Sequence, residues 1–520
     1  MVLLLIYMAF SGTVSALTHG QESQAVEKAG LPLTLDECIQ LALKNNLSLI
    51  VEKYGPEIAE ASVYRAQETF LPRLDLNYGN QRQESPPYWW IQGETTVVTK
   101  YQDYGFTLTQ QIPTGGSLSL SLASYRSDTT QAFQLINPRY GSTLRLDITQ
   151  PLLRNFGPRM SRREIILAEK SLAAAEKQYE NAVVETVYLV QEAYWNLVYA
   201  IENLQVKQYS LQLARDLLRK NQKEVEVGKL AAIELLNAEA EVASREAEII
   251  QAEGVAARAE QVLRNIINLD SQPEKSRLKI VPVDKPKFQP REVSLDQAVK
   301  AALELRPDVE QLRKTIEAKQ FSVAVAKNQL LPSVDLQFSY WSPGISGDRL
   351  LYLNDNPFLG IVVGREKGSA LDSLRDALKL IYQNWYIGLN FSFPLNSLTT
   401  RAGYAVAKLE LEQTVARLKS LEQQVRLEVS DTVREIETSA KRVEALRVAR
   451  ERAEKRLAAE EKKMAVGLTT NYFVLQYQTE VANARSQELQ ALISYNLSLA
   501  KLDKITGKTL SQYQGVPVRD

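Results

Sequence analysis

The first half of this 520-residue chain returns in its second half. Leu35-Asp36 through Leu71-Pro72-x-x-Asp75-Leu76 recurs as Leu295-Asp296 through Leu331-Pro332-x-x-Asp335-Leu336. The offset is 260 throughout, without a gap, and 12 of the 42 positions from Leu35 to Leu76 match their counterparts. Ordinary residue usage gives about 3 such matches. A repeat of this size implies duplicated architecture and constrains the fold before any local motif does. Length alone allows three or four ordinary domains, but the repeat argues for two interleaved halves of one body.

Rare residues narrow the chemistry. Lys+Arg and Asp+Glu both number 62, so the net charge is zero and there is no electrostatic footprint for nucleic acid. With one cysteine, Cys38, and one histidine, His19, neither an intrachain disulfide nor a Cys/His metal cluster is possible. Nucleophile–histidine catalysis would have to rest on His19 near the N-terminus. The chain therefore reads as a non-enzyme, with no cofactor or metal expected. Met1 to Ala16 form an apolar run ending Val14-Ser15-Ala16, the small-x-small pattern of a signal-peptidase site, although no basic residue precedes Lys28. Export is expected. Cys38 reads as a small buried helix residue.

Each half reads helix, strands, long helix, helix. Thr34 and Glu37 form a capping box opening a helix predicted to run to about Thr69. A long helix follows from about Ser161 to Val227, with Tyr179, Val183, Val187, Val190 and Tyr194 on a helical period. After Gly228 a shorter helix runs from about Ala231 to Leu269. In the second half Ser294 is expected to cap a helix to Gln329, with Pro307 as a kink. A helix from about Ser397 to Met464 ends before Gly467, and a last one runs from Thr470 to Thr506. A helix of about 67 residues rises about 100 Å, and two shorter helices end to end match it. The reading is long antiparallel helical hairpins.

The strand segments alternate. Val334-Asp335-Leu336-Gln337-Phe338-Ser339-Tyr340 places apolar residues on one side and polar residues on the other. The same holds in Ile387–Phe393, Leu74–Tyr78, Leu118–Leu122 and Leu144–Ile148. A soluble half-buried sheet alternates in the same way. Segments of about ten residues with aromatic ends, beside an export signal and very long helices, favour strands of a membrane barrel. Gln83–Gln102, Asp128–Arg139 and Ser342–Asn384 are expected as long external loops, and Ile112-Pro113-Thr114-Gly115-Gly116 as a tight periplasmic turn.

These residues together resemble the outer-membrane efflux (TolC-like) family from about Leu33 to Gly507. The carriers are the duplicated helix openings and the helix-to-strand junctions Phe70-Leu71-Pro72 and Leu330-Leu331-Pro332. To these are added the strand-to-helix junctions Gln150-Pro151-Leu152 and Phe393-Pro394-Leu395, and the helical tips Val227-Gly228-Lys229-Leu230 and Val466-Gly467-Leu468-Thr469. The resemblance implies a mainly α protein with membrane β structure, in which three copies share one outer-membrane β-barrel and one periplasmic tunnel. On it the chain divides into a signal peptide (1–16), a first repeat (33–269, strands about 71–150), a linker (270–292), a second repeat (293–507, strands about 332–393) and a tail (508–520).

The implied function is a passive exit duct of a tripartite efflux pump or type I secretion system. Its implied partners are its own copies, a periplasmic adaptor, an inner-membrane pump and outer-membrane lipid. Adaptor docking is expected at Val227, Gly228, Leu230, Val466, Gly467 and Leu468. Relatives narrow the tip with two inward carboxylates, and counted from Gly467 those positions are Phe473 and Gln476 here. The family's basic gate position falls on Thr469 and its tyrosine on Met464, and only Glu234 matches an acidic position. Glu234, Phe473 and Gln476 are the candidate constriction, Phe473 serving either as an apolar gate or as interhelix packing. The family usually has four strands per chain, whereas this one offers six, the extra pair being about Tyr104–Gln111 and Ser117–Tyr125. That hairpin either joins the barrel or, as the family rule favours, stands above it or folds over it. A periplasmic adaptor and a long coiled-coil scaffold are the alternative classes.

Overall fold

The computed structural model describes residues 30–87, 96–228, 231–271, 278–466 and 468–512. The expected signal peptide, His19, Leu230, Gly467 and part of the first external loop lie outside the described residues. In chain order the first half contains β1 (Leu31–Leu33), α1 (Leu35–Asn45), α2 (Leu47–Glu68), β2 (Arg73–Ser85), β3 (Val97–Gln111), β4 (Ser117–Thr129), β5 (Ile136–Pro151), α3 (Pro158–Ser161), α4 (Arg163–Glu226) and α5 (Ala232–Ile266). The second contains β6 (Ile280–Pro282), α6 (Leu295–Leu305), α7 (Pro307–Asn328), β7 (Ser333–Tyr352), β8 (Val362–Glu366), α8 (Ala370–Leu378), β9 (Asn384–Ser392), α9 (Leu398–Ala465), α10 (Asn471–Ile505) and α11 (Lys508–Gln512). The chain forms two compact units. One is drawn from Met1–Gly55, Glu176–Glu310 and Lys419–Asp520, the other from Pro56–Ala175 and Gln311–Leu418.

The helical unit starts at the capping box read from the sequence. The Thr34 amide donates to Glu37 at 2.8 Å and the Glu37 amide to the Thr34 hydroxyl at 3.3 Å. The single helix predicted to Thr69 is two helices, because Asn46 leaves helical geometry (φ −65°, ψ 119°). Its side chain accepts from the Leu49 amide at 3.0 Å, which starts α2. The second repeat breaks at the corresponding residue, Arg306 (φ −68°, ψ 126°). There Pro307 forces the change: a residue before proline avoids helical geometry, and proline suits a first helical turn. Among the described residues Ser294, which precedes α6, makes no side-chain capping bond. The long helices α4 and α9 run 64 and 68 residues.

The core of this unit gathers Cys38, Ile39 and Ala42 from α1, Val187, Val190, Tyr194 and Leu197 from α4, Leu263 from α5 and Ile493 from α10. Burial pushes the Cys38 thiol up to about 12. β1 pairs in parallel with β6, and the Tyr194 hydroxyl reaches Leu33 O at 3.1 Å and Asp284 Oδ2 at 3.0 Å. The proline-rich connector is strapped down farther along. The Tyr495 hydroxyl donates to Gln289 O at 2.6 Å and accepts from the Arg291 amide at 3.2 Å. The start of the expected irregular tail is helical, as α11.

The second unit carries one antiparallel sheet in the order β2-β3-β4-β5-β7-β9, with β8 pairing the far end of β7. The β3–β4 hairpin is hydrogen-bonded in the middle of this sheet, β3 to β2 and β4 to β5. It is not folded over the sheet, contrary to the placement the four-strand rule favours. Phe106 and Leu108 of the hairpin lie opposite Leu76 and Leu74 of β2, and Leu120 and Leu122 lie opposite Leu146 and Leu144 of β5, so the hairpin continues the rows of both neighbours. The segment Ser342–Asn384, expected as an external loop, contains the rest of β7, then β8 and α8. A second capping box, Ser369 with Asp372, starts α8.

Candidate functional site

Strand register sorts the sheet into two faces. Leu74 pairs with Leu108, Leu108 with Leu120, Leu120 with Leu146, Leu146 with Tyr340 and Tyr340 with Trp385. The next rows join Leu76, Phe106, Leu122 and Leu144 on one side, and Ile148, Phe338 and Ile387 on the other. Because side chains alternate along a strand, one face is apolar across all six strands. The opposite face carries Asn77, Asp103, Ser121, Arg145, Asp147, Ser339 and Asn390. On that polar face Arg145 grips Asp147 at 2.8 Å, Ser339 donates to Asp147 at 2.5 Å, and the Arg145 guanidinium lies 5.5 Å from the Trp341 ring centre.

The apolar face is open: Leu76 is 73% and Leu389 67% exposed. An apolar surface this continuous marks a contact with lipid or protein, and apolar-out, polar-in alternation is the pattern of a membrane barrel wall. Tyr340 and Trp385 end the leucine row that starts at Leu74, and Tyr78 and Tyr104, with ring centres 5.3 Å apart, pair two rows further from the helix end of β2. Among the described residues no helix is long and apolar enough to cross a membrane.

Helix α8 lies on this apolar face, just beyond the leucine rows. Ser142 and Gly344, paired with each other, lie beneath it. The Ser142 and Ser373 hydroxyls are 3.1 Å apart. A side chain at position 344 would come within 2.0 Å of the Ser373 carbonyl. Small residues are required there because the helix backbone approaches the strand directly. Ser373 and Ala377 face the sheet, and Leu371 and Leu378 face outward. The leucines of α8 thus extend the apolar surface over a row of serines.

The helical tips present the residues expected to dock a partner. Val227, Val466 and Leu468 are all exposed, Leu468 at 76%. Gly228 takes a left-handed conformation (φ 76°) that ends its helix. Phe473 and Gln476 are one turn apart on the exposed side of α10, and Phe473 meets Tyr472 edge-on at 5.5 Å. Glu234, half-buried, belongs to the first turn of a different helix, α5.

The tips also contain polar locks that the sequence reading missed. Asn471 donates to Asn221 at 2.8 Å, both buried. Glu460 accepts from the Thr469 hydroxyl at 2.6 Å and from Lys463 at 3.1 Å. Those two bonds, the Thr469 bond above all, hold its carboxyl below the usual value. Higher up, the buried Arg245 reaches Glu241 at 2.8 Å on its own helix, Ser210 of α4 at 2.6 Å, and Thr479 of α10. A signal for Asn221 was present: it continues the stripe of Ala214 and Leu217 at helical spacing, so a polar residue sits where an apolar one belongs. No metal-holding cluster of His, Cys, Asp and Glu occurs among the described residues.

A sheet with one apolar and one polar face, in a chain that also has long helices with exposed tips, defines a subunit of an outer-membrane channel. The chain belongs to the outer membrane efflux protein family, whose model matches residues 38–269 and 298–508. Solved structures agree in fold. The CmeC outer membrane channel of Campylobacter jejuni aligns with a TM-score of 0.66 at 17% identity, covering 94% of this chain and 90% of that one. The open-state MtrE outer membrane channel of Neisseria gonorrhoeae aligns at 0.62 and 18%, covering 91% and 88%. VceC of Vibrio cholerae, an outer membrane protein, aligns at 0.62 and 16%, covering 91% and 96%. No match was found among curated protein sequences. The protein is an outer-membrane exit duct of efflux pumps. The adaptor and coiled-coil alternatives fall, since the chain matches the outer membrane efflux protein family over most of its length. The family and the similar structures are channels, not enzymes.

Proposed function

We propose that three copies of this chain form a passive conduit that a periplasmic adaptor opens by docking on the helical tips, joining the duct to an inner-membrane pump. The duct does no chemistry. It supplies a polar path through the bilayer, where the solvation barrier to charged cargo is otherwise high. The pump selects the cargo.

One observation carries this reading: Val227, Val466 and Leu468 are exposed apolar residues at the turns of both repeats, beside a glycine that admits close approach of another helix. Leu230 and Gly467 complete the same turns in sequence. Opening follows if the adaptor binds the open arrangement better than the closed one. Phe473, Gln476 and Glu234 are then the residues that narrow the closed tip, with Phe473 excluding water from an apolar constriction.

The test is a Leu468→Glu, Val227→Glu double variant. Trimers should assemble in the outer membrane, while efflux-dependent resistance is lost and adaptor cross-linking at the tip disappears. Normal efflux by this variant would refute docking at the tips.

A further inference from the structure

We infer that all six long strands stand in the bilayer, so that three copies close a barrel of 18 strands, wider than the 12 that four strands per copy would give. This rests on the trimeric reading above and adds to it the composition of the wall.

The β3–β4 hairpin is the deciding element. Its turn is tied to the helix end of the sheet. Gln150 accepts from the Thr114 hydroxyl at 2.6 Å, the Gly157 amide donates to Thr114 O at 2.9 Å, and the Ser161 hydroxyl reaches Ile112 O at 3.4 Å. Gly115 (φ 97°) packs so closely that a side chain there would come within 2.4 Å of Asn155 O. The hairpin therefore begins at the level where β5 hands over to the helices. From that level it pairs continuously, β4 with β5 from Ser117–Thr149 to Ser127–Arg139. Phe106, Leu108, Leu120 and Leu122 then lie in the same rows as the leucines of β2 and β5, and Leu118 lies in the row of Ile148. If the hairpin stood above the membrane, these five side chains would face water while the rows on either side faced lipid.

The two ends of the sheet define the closure. Among the described residues β2 has a strand partner on one side only, and β9 likewise. Unpaired strand edges are not sustained in hydrocarbon. With six strands in antiparallel order, β2 and β9 run in opposite directions, so β2 of one copy meets β9 of the next as an antiparallel pair. Both present the same apolar face, Leu74, Leu76 and Tyr78 on β2 and Trp385, Ile387, Leu389 and Phe391 on β9. β8 is not a wall strand, because it pairs β7 only from Arg349 to Tyr352, beyond the apolar rows. Barrel diameter grows roughly linearly with strand number, so the barrel would be about 1.5-fold wider than with 12 strands.

Cryo-electron microscopy of the purified full chain in lipid nanodiscs tests this. A threefold particle with 18 strands in the membrane is expected. A threefold particle with 12 wall strands overturns the inference and leaves the trimer standing. A particle without threefold symmetry overturns the trimer and with it the count of 18. A second measurement addresses the hairpin alone. Cys38 is the only native thiol and is buried, so a fluorophore on Leu120→Cys should be quenched by nitroxide-labelled lipid, and one on Ser121→Cys by aqueous iodide. Iodide quenching at both positions would remove the hairpin from the bilayer.

Discussion

The side-chain amide of Asn471 donates to the amide oxygen of Asn221 at 2.8 Å, joining the end of α4 to the start of α10 across 250 residues of sequence. Both residues are buried, and among the described residues the amide nitrogen of Asn221 has no partner of its own. The bond links the tips of the two repeats where the proposed opening takes place. Asn471→Ala leaves the Asn221 oxygen buried and unpaired, which costs about 1–3 kcal/mol. The expected outcome is faster limited proteolysis at the tips and a higher closed-state leak in planar bilayers, with trimers intact. The Asn221→Leu, Asn471→Leu pair, which removes both polar groups, should be less damaging than Asn471→Ala alone. Equal leak in all three proteins would remove the bond from the closed state.

The two-faced sheet makes a directional prediction. Leu146 lies in the middle of the apolar rows, and Gln337 on the other face. Arginine near the bilayer midplane on a lipid-facing barrel position costs about 2–4 kcal/mol, while lumen-facing positions tolerate charge. Leu146→Arg should lower the urea midpoint for unfolding from lipid vesicles markedly, and Gln337→Arg should leave it near wild type while altering ion selectivity. A reversed pattern would put the lipid on the opposite face.

Much of this was legible in the sequence because periodicity and duplication are intrinsic to the chain. The repeat at offset 260 placed both helix openings, and the period of two in Val334–Tyr340 named the lipid face residue by residue. What was not legible depended on partners distant in sequence. Asn46 looked like an ordinary helix residue, yet it ends α1 because its amide nitrogen satisfies Ile266 O at 2.8 Å, 220 residues away. Likewise nothing local tells a hairpin to stay in the sheet plane. The bonds from Thr114 to Gln150 and Gly157 do that. Helix α8 escaped notice because a stretch read as external loop hid nine residues with a capping box at Ser369.

Gly344 sets how closely α8 approaches the sheet. A side chain at this position would come within 2.0 Å of the Ser373 carbonyl and 2.9 Å of the Ala377 amide, both backbone atoms that cannot move without the helix. Overpacking of this kind costs about 1–3 kcal/mol, and here displacing α8 relieves it. In a Ser142→Cys background the new thiol is covered by α8, and the buried Cys38 stays silent. Adding Gly344→Val should convert that thiol from protected to maleimide-reactive. If it stays protected, α8 tolerates the side chain and the close approach is not what positions it.

Glu460 makes the tip sensitive to acid. Its carboxylate accepts from Thr469 across the turn and from Lys463 one helical turn away, and Arg456 adds a weaker attraction. These contacts lower its folded-state value below the ordinary 4.5. A depressed carboxyl contributes stability that is fully present above its unfolded value and is lost as pH falls through the folded one. The tip should therefore hold at neutral pH and loosen only below the usual carboxylate range, seen as a rise in closed-state conductance on acidification. Thr469→Val removes the strongest of the contacts, so the carboxyl should return toward its ordinary value and the rise in leak should move to higher pH. Glu460→Gln should abolish the pH dependence and leave a leak set by the amide's weaker bonds. If the wild-type and Thr469→Val curves superimpose, the Thr469–Glu460 bond is not a latch of the closed tip.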